Sequence, residues 1–173
     1  MKPMKPDDPM SASRPVFAIA AAVFGRAAAC AAAIVLALAG LPVIAAANPT
    51  TVTVSLDLAK YTAIQNIDPG KAVGVRPAVV HIHVGDSVVF VNDDTDHHTA
   101  TALVNAVTFV DDPRWTDDAL HQSGAIGPGF WSTGDLAPGA RSAPLVARTA
   151  GTYLYGCFFD YGAGMRGEIV VEP

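Results

Sequence analysis

Sulfur is scarce in this chain of 173 residues, with two cysteines and four methionines. Cys30, Met1, Met4 and Met10 all fall within the first 47 residues. Beyond Ala47 there remain one thiol, Cys157, and one thioether, Met165. A single cysteine excludes an intramolecular disulfide in the 126 residues left when 47 are taken from 173. Cations are scarce too. Beyond Ala47, seven Lys and Arg stand against fourteen Asp and Glu, a formal charge of −7, which argues against nucleic acid, a partner that wants a basic patch. No stretch beyond Ala47 carries helical periodicity over a useful length. A nucleophile elbow, a phosphate loop and an H-E-x-x-H motif are all missing, so the chain offers no support for an enzyme. The acidic pairs Asp93-Asp94, Asp111-Asp112 and Asp117-Asp118 lack EF-hand spacing and read as solvated loops.

What is present begins with a targeting pattern. Lys2, Lys5, Arg14 and Arg26 precede an uncharged run from Ala27 to Ile44, and Ala45-Ala46-Ala47 supplies a small-residue cleavage site. A positive leader, an apolar stretch and an A-x-A end predict a secretory signal over residues 1–47 and export to the periplasm, leaving one domain over 48–173. If left uncleaved, the same run is nearly long enough for a membrane anchor, although Gly40 and Pro42 interrupt it. In an oxidising compartment a lone thiol risks oxidation or cross-linking unless it is buried or bound to something.

Beyond Thr51 the chain reads as short strands between turns. Thr51–Leu58 alternates with period two, as a half-buried strand does. Val79–Val84 and Ser87–Asn92 flank Gly85-Asp86 and predict a hairpin, with Val80, Ile82 and Val84 on one face and His81 and His83 on the other. Further strands are expected at His98–Val104, Ala143–Arg148, Thr152–Cys157 and Gly167–Glu172. Tyr61–Ala78 and Asn105–Phe130 resist assignment, apart from a short helical turn hinted at by Trp115 and Ala119-Leu120. Many short strands with regular turn signals imply an all-β sandwich or barrel.

The chemistry concentrates near the C-terminus. A strand ends at Cys157, a glycine-rich loop follows through Asp160, Gly162 and Gly164, and Met165 precedes the last strand. Upstream, Phe90-Val-Asn92-Asp-Asp94-Thr-Asp-His97-His98-Thr99 places two histidines just beyond a strand that ends in Asn. Together these segments resemble the copper loops of the cupredoxins, in particular plastocyanins, amicyanins and pseudoazurins, whose C-terminal pattern is Cys-x2-His-x4-Met. The resemblance implies a Greek-key β-sandwich and one-electron transfer. It also implies one copper ion held by His98, Cys157 and Met165. Thiolate and thioether are soft donors and imidazole is borderline, a set that suits copper in both oxidation states. Phe158 and Phe159 are expected to pack around the sulfur. Asp160 stands where the family has its second histidine. Either its carboxylate serves as a donor, or His97 or His121 replaces the missing ring, or the site is incomplete. The expected partner is a redox protein, with a basic surface to match the acidic one. The rival reading is a non-redox copper-binding or metal-free module. His81 and His83 are two apart on one strand face, a spacing able to clip a metal ion, and are read first as a solvated pair.

Overall fold

The computed structural model describes residues 48–68 and 70–173; the expected signal segment over residues 1–47 lies outside them. The described chain is built almost wholly from strands. They are β1 (Thr51–Leu56), β2 (Gln65–Ile67), β3 (Gly70–Ala72), β4 (Val75–Arg76), β5 (Val79–His83), β6 (Ser87–Asn92), β7 (Thr101–Ala102), β8 (Gln122–Ser123), β9 (Ser132–Thr133), β10 (Leu145–Val146), β11 (Gly151–Gly156) and β12 (Arg166–Glu172). Two 3-10 turns, Asp117–Leu120 and Tyr161–Ala163, complete the list.

One sheet has the order β10-β6-β1-β4 and the other β5-β12-β11-β7-β9-β8, with β2 and β3 pairing separately. The chain passes repeatedly from one main sheet to the other, giving a β-sandwich, one of the two architectures that the turn pattern implied. Alternation supplies the core between the sheets: Val54 and Leu56 of β1, Val88 and Phe90 of β6, Val80 and Ile82 of β5, and Ile169 and Val171 of β12 are all buried. Phe90 meets Tyr155 edge-on at 5.2 Å between ring centroids and stacks on Trp131 at 6.4 Å.

The expected hairpin at Gly85-Asp86 does not form. β5 pairs in parallel with β12 over five residues, while β6 pairs in parallel with β1 over six in the opposite sheet. Both strands carry apolar residues toward the same core, and that demand is met by placing them on its two sides. Asp86 secures the crossing: its carboxylate accepts the backbone N–H of His83 at 2.8 Å and of Thr50 at 2.6 Å. Gly85 supplies the left-handed conformation the corner needs, with φ +100°.

Tyr61–Ala78 holds β2, β3 and β4, and Val73 pairs with Met165. The strands expected over His98–Val104 and Ala143–Arg148 shrink to two residues each, β7 and β10. The long insertion 105–130 contains the helical turn at Asp117–Leu120 and anchors onto the C-terminal loop. Trp115 meets Tyr161 edge-on at 5.4 Å, and the Tyr161 hydroxyl donates to the Val110 carbonyl at 2.8 Å.

Candidate metal centre

Cys157 follows the last residue of β11, and Met165 precedes the first residue of β12. Because β11 and β12 are antiparallel neighbours, the loop between them must close on itself. It does so through backbone bonds: Cys157 N–H donates to the Met165 carbonyl at 2.9 Å, and Met165 N–H to the Asp160 carbonyl at 3.2 Å. The turn at Tyr161–Ala163 ends on Gly164 in the left-handed conformation, φ +91°. Gly74 also has a positive φ, +73°, and a Cβ added there would lie 2.9 Å from Met165 Cγ. Two constraints therefore select glycine beside the methionine, which is fully buried.

The second loop is organised by Asn92, also fully buried. Its side-chain amide donates to the carbonyls of Asp96 and Leu136, each at 2.7 Å, and its Oδ1 accepts the N–H of Asp94 at 3.0 Å. These bonds fix the bend from Asp93 to His98. Thr99 then joins the two loops, its hydroxyl accepting the N–H of Phe158 at 2.9 Å and its own N–H pointing at Cys157 Sγ at 3.5 Å.

The result brings three expected residues together. His98 Nδ1 lies 3.6 Å from Cys157 Sγ and 3.1 Å from Asp160 Oδ2, and the sulfur lies 3.4 Å from the same oxygen. All three donor atoms fall within 4.8 Å of one another. His98 and Cys157 are each 1% exposed, whereas the Asp160 side chain keeps 28%, so the triangle opens to solvent on its carboxylate side. A tetrahedral ion with bonds of about 2.0–2.3 Å spaces such donors about 3.3–3.8 Å apart. The observed edges approach those of one coordination polyhedron. Met165 belongs to the same core cluster as Cys157.

Asp94 is the functional residue that sequence reasoning misplaced. It was expected in a solvated loop, yet its side chain is 6% exposed and its Oδ2 lies 3.0 Å from His98 Nε2. The same oxygen accepts N–H groups of Leu58 at 2.8 Å and Ala59 at 3.3 Å, while Oδ1 accepts Thr95 N–H at 2.7 Å. Burial alone would raise this carboxyl, but the hydrogen bonds from His98 and from the backbone outweigh it and hold it at about 2. Ionised Asp94 only accepts, so Nε2 donates to it, and Nδ1 is the ring nitrogen that faces Cys157 and Asp160. A carboxylate that holds the outer ring N–H in this way fixes the orientation of an imidazole available to a metal ion. Burial pushes the Cys157 thiol up to about 11, with backbone N–H groups opposing and the Asp160 charge adding to the rise. Without a cation the sulfur is protonated at neutral pH.

The remaining expectations fall elsewhere. His97 is exposed and bonded to Asp135 at 2.8 Å, and His121 is exposed and bonded to the carbonyl of Asp117 at 3.0 Å. Neither ring reaches the triangle. Phe158 is half-buried and Phe159 exposed, and they pack edge-on against each other at 5.4 Å. Phe159 therefore does not enclose the sulfur as expected, because the chain turns outward as soon as β11 ends.

No protein-family model matches the sequence, and no curated protein matches it. Solved structures that the fold is similar to include a mutant of amicyanin in its Cu(I) form, with 19% identity, a TM-score of 0.41, and coverage of 68% of this chain and 80% of that one. Another amicyanin mutant, in a reduced Cu(I) form at pH 4, shows 22% identity and the same TM-score and coverage. A purple cupredoxin from Nitrosopumilus maritimus shows 18% identity and a TM-score of 0.41, covering 69% of this chain and 98% of that one.

Proposed function

We propose that this chain is an exported, non-enzymatic copper protein of the cupredoxin type, carrying single electrons through one ion held by His98, Cys157, Asp160 and Met165. The observation that carries the proposal is the buried His98–Cys157–Asp160 triangle, with His98 presented to it by Asp94. A bound copper ion supplies the one-electron couple. The chain's own residues do the rest. Asp94 fixes the proton on Nε2 and leaves Nδ1 as a donor. Cys157 Sγ must release its proton on loading, so affinity rises with pH until the thiol of the metal-free chain ionises, at about 11. A thioether added to a thiolate in one donor set favours copper over zinc. Two loops locked by Asn92, Thr99 and the Cys157–Met165 backbone bond keep the donors in nearly one geometry, and small geometric change is what fast electron exchange needs.

Asp160 sets this centre apart from a two-histidine site. A carboxylate is a harder donor than imidazole, prefers Cu(II) to Cu(I), and lowers the potential. That preference also gives the rival reading, a non-redox holder of copper, its physical basis. The formal charge of −7 beyond Ala47 supports a redox partner with a basic surface, and the leader supports a periplasmic setting.

The test is a visible spectrum of the full chain loaded with Cu(II). Intense thiolate-to-copper absorption is expected, bleached by a reductant and restored by an oxidant, and absent in Cys157→Ser. A colourless protein, or a colour that survives Cys157→Ser, overturns the assignment. Colour that cannot be reversibly bleached supports the non-redox reading.

A further inference from the structure

A second set of donors lies on the outer face of the six-stranded sheet, at the end remote from Cys157. His81 and His83 alternate with buried Val80 and Ile82, so both rings stand on the solvent side of β5. The parallel register places Glu172 of β12 directly beside His83 and Val170 beside His81. Glu172 therefore has one histidine as its direct neighbour and the other on the diagonal. Its carboxylate meets both: His81 Nδ1 lies 3.7 Å from Oε1 and His83 Nε2 lies 3.7 Å from Oε2. The side chains are 64%, 65% and 53% exposed.

We propose that His81, His83 and Glu172 form a surface site for a divalent transition-metal ion, with Cu(II) as the preferred occupant. The donor set argues for this class. Two imidazoles and a carboxylate offer nitrogen and oxygen without a soft sulfur, which suits Cu(II) rather than Cu(I), and copper heads the affinity order for such ligands. The strand backbones are already ordered by pairing, so binding freezes only the side-chain torsions. Each ring now faces its own carboxylate oxygen, and their exposure leaves both free to turn inward on one ion. The local field is favourable, because Glu168 lies on the same face of β12 and Asp86 lies within 3.8 Å of His83 Nδ1. Glu172 sits six residues along β12 from Arg166, about 20 Å at strand rise. The two centres share no residue, and this one stands whether or not the buried triangle holds copper.

The test uses the full chain carrying Cys157→Ser, titrated with Cu(II) and followed by electron paramagnetic resonance. One saturable equivalent with nitrogen coupling from two imidazoles is expected. Adding His81→Gln or His83→Gln should weaken it by at least about tenfold, the lower end of what loss of even a supporting group costs a metal site. Adding both should abolish it. A signal contributed by His98 persists in the double variant and is thereby separated. In the Cys157→Ser chain, substoichiometric Cu(II) should broaden the ring protons of His81 and His83 before other surface resonances. No saturable binding, binding unchanged in the double variant, or unbroadened His81 and His83 rings would each overturn the site.

Discussion

Replacing Asp94 with Asn changes one atom of a group that touches no metal, yet both stability and copper affinity should fall. The carboxylate receives His98, Leu58 and Ala59 on Oδ2 and Thr95 on Oδ1. An amide has one acceptor oxygen and one NH2 donor. With its NH2 at the Oδ2 position it would face three donors, so it must place its oxygen there and confront Thr95 N–H with its NH2 instead. That N–H is exposed and turns to water, so the cost lies at the Oδ2 position, where hydrogen bonds to a charged acceptor, each worth about 1.5–3 kcal/mol, become bonds to a neutral one, each worth about 0.5–1.5. An independent route gives a similar size. Holding the Asp94 carboxyl at about 2 rather than 3.8 corresponds to about 2.4 kcal/mol of native-state preference for the ionised form. Asp94→Asn should therefore unfold at lower urea, by about 2 kcal/mol at pH 7. Losing the anionic partner of Nε2 should also weaken copper binding by about 10–100-fold. Urea titration of the metal-free chain reads the first effect, and competition against a chelator of known affinity reads the second. Unchanged copper affinity, with His98 still folded in place by NMR, would refute the claim that Asp94 presents the imidazole.

Asp160→His should strengthen the thiolate-to-copper absorption and raise the potential, since imidazole replaces a harder donor; an unchanged spectrum and voltammogram would remove position 160 from the centre. Asp86 has a carboxyl lowered chiefly by the His83 and Thr50 N–H groups it accepts. Its contribution is present above pH 3.8 and is lost as the pH falls through the lower native value, so Asp86→Asn should reduce stability at pH 7 and flatten the acid limb below pH 4. Thermal unfolding across pH 2–7 checks this, and an acid limb as steep as the unmutated chain's would count against it. Gly74→Ala combines a positive φ with a Cβ 2.9 Å from Met165 Cγ; a loss of at least about 1 kcal/mol is expected, together with a disturbed copper spectrum, and chemical denaturation would expose the error if the variant were as stable as its parent.

Much of the candidate centre was legible because its parts are local in sequence. Cys157 and Met165 are eight residues apart, spanning one loop whose ends are fixed by pairing of the flanking strands. His98 stood out because the run from Asn92 to Thr99 resembles the cupredoxin context for a ligand histidine, and the structure shows Asn92 tying that loop back through the Asp96 and Leu136 carbonyls. Asp94 did not stand out. An aspartate in a run of polar residues looks solvated, and only the approach of Leu58 and Ala59, from the segment after β1, buries it.

The sequence by itself determined the all-β alternation and the sulfur-bearing crossover loop, because period-two patterning and turn chemistry are local properties of the chain. It also determined which side of β5 carries His81 and His83. Tertiary structure alone decided that β5 and β6 part at Gly85-Asp86 into opposite sheets rather than pairing, since the choice depends on β1 and β12, far away in the chain. It alone brought a carboxylate oxygen of Asp160 within 4.8 Å of donor atoms of His98 and Cys157, while His97 and His121 bond to Asp135 and Asp117 elsewhere. Where a donor ends up is set by packing between loops distant in sequence, and no local pattern encodes that distance.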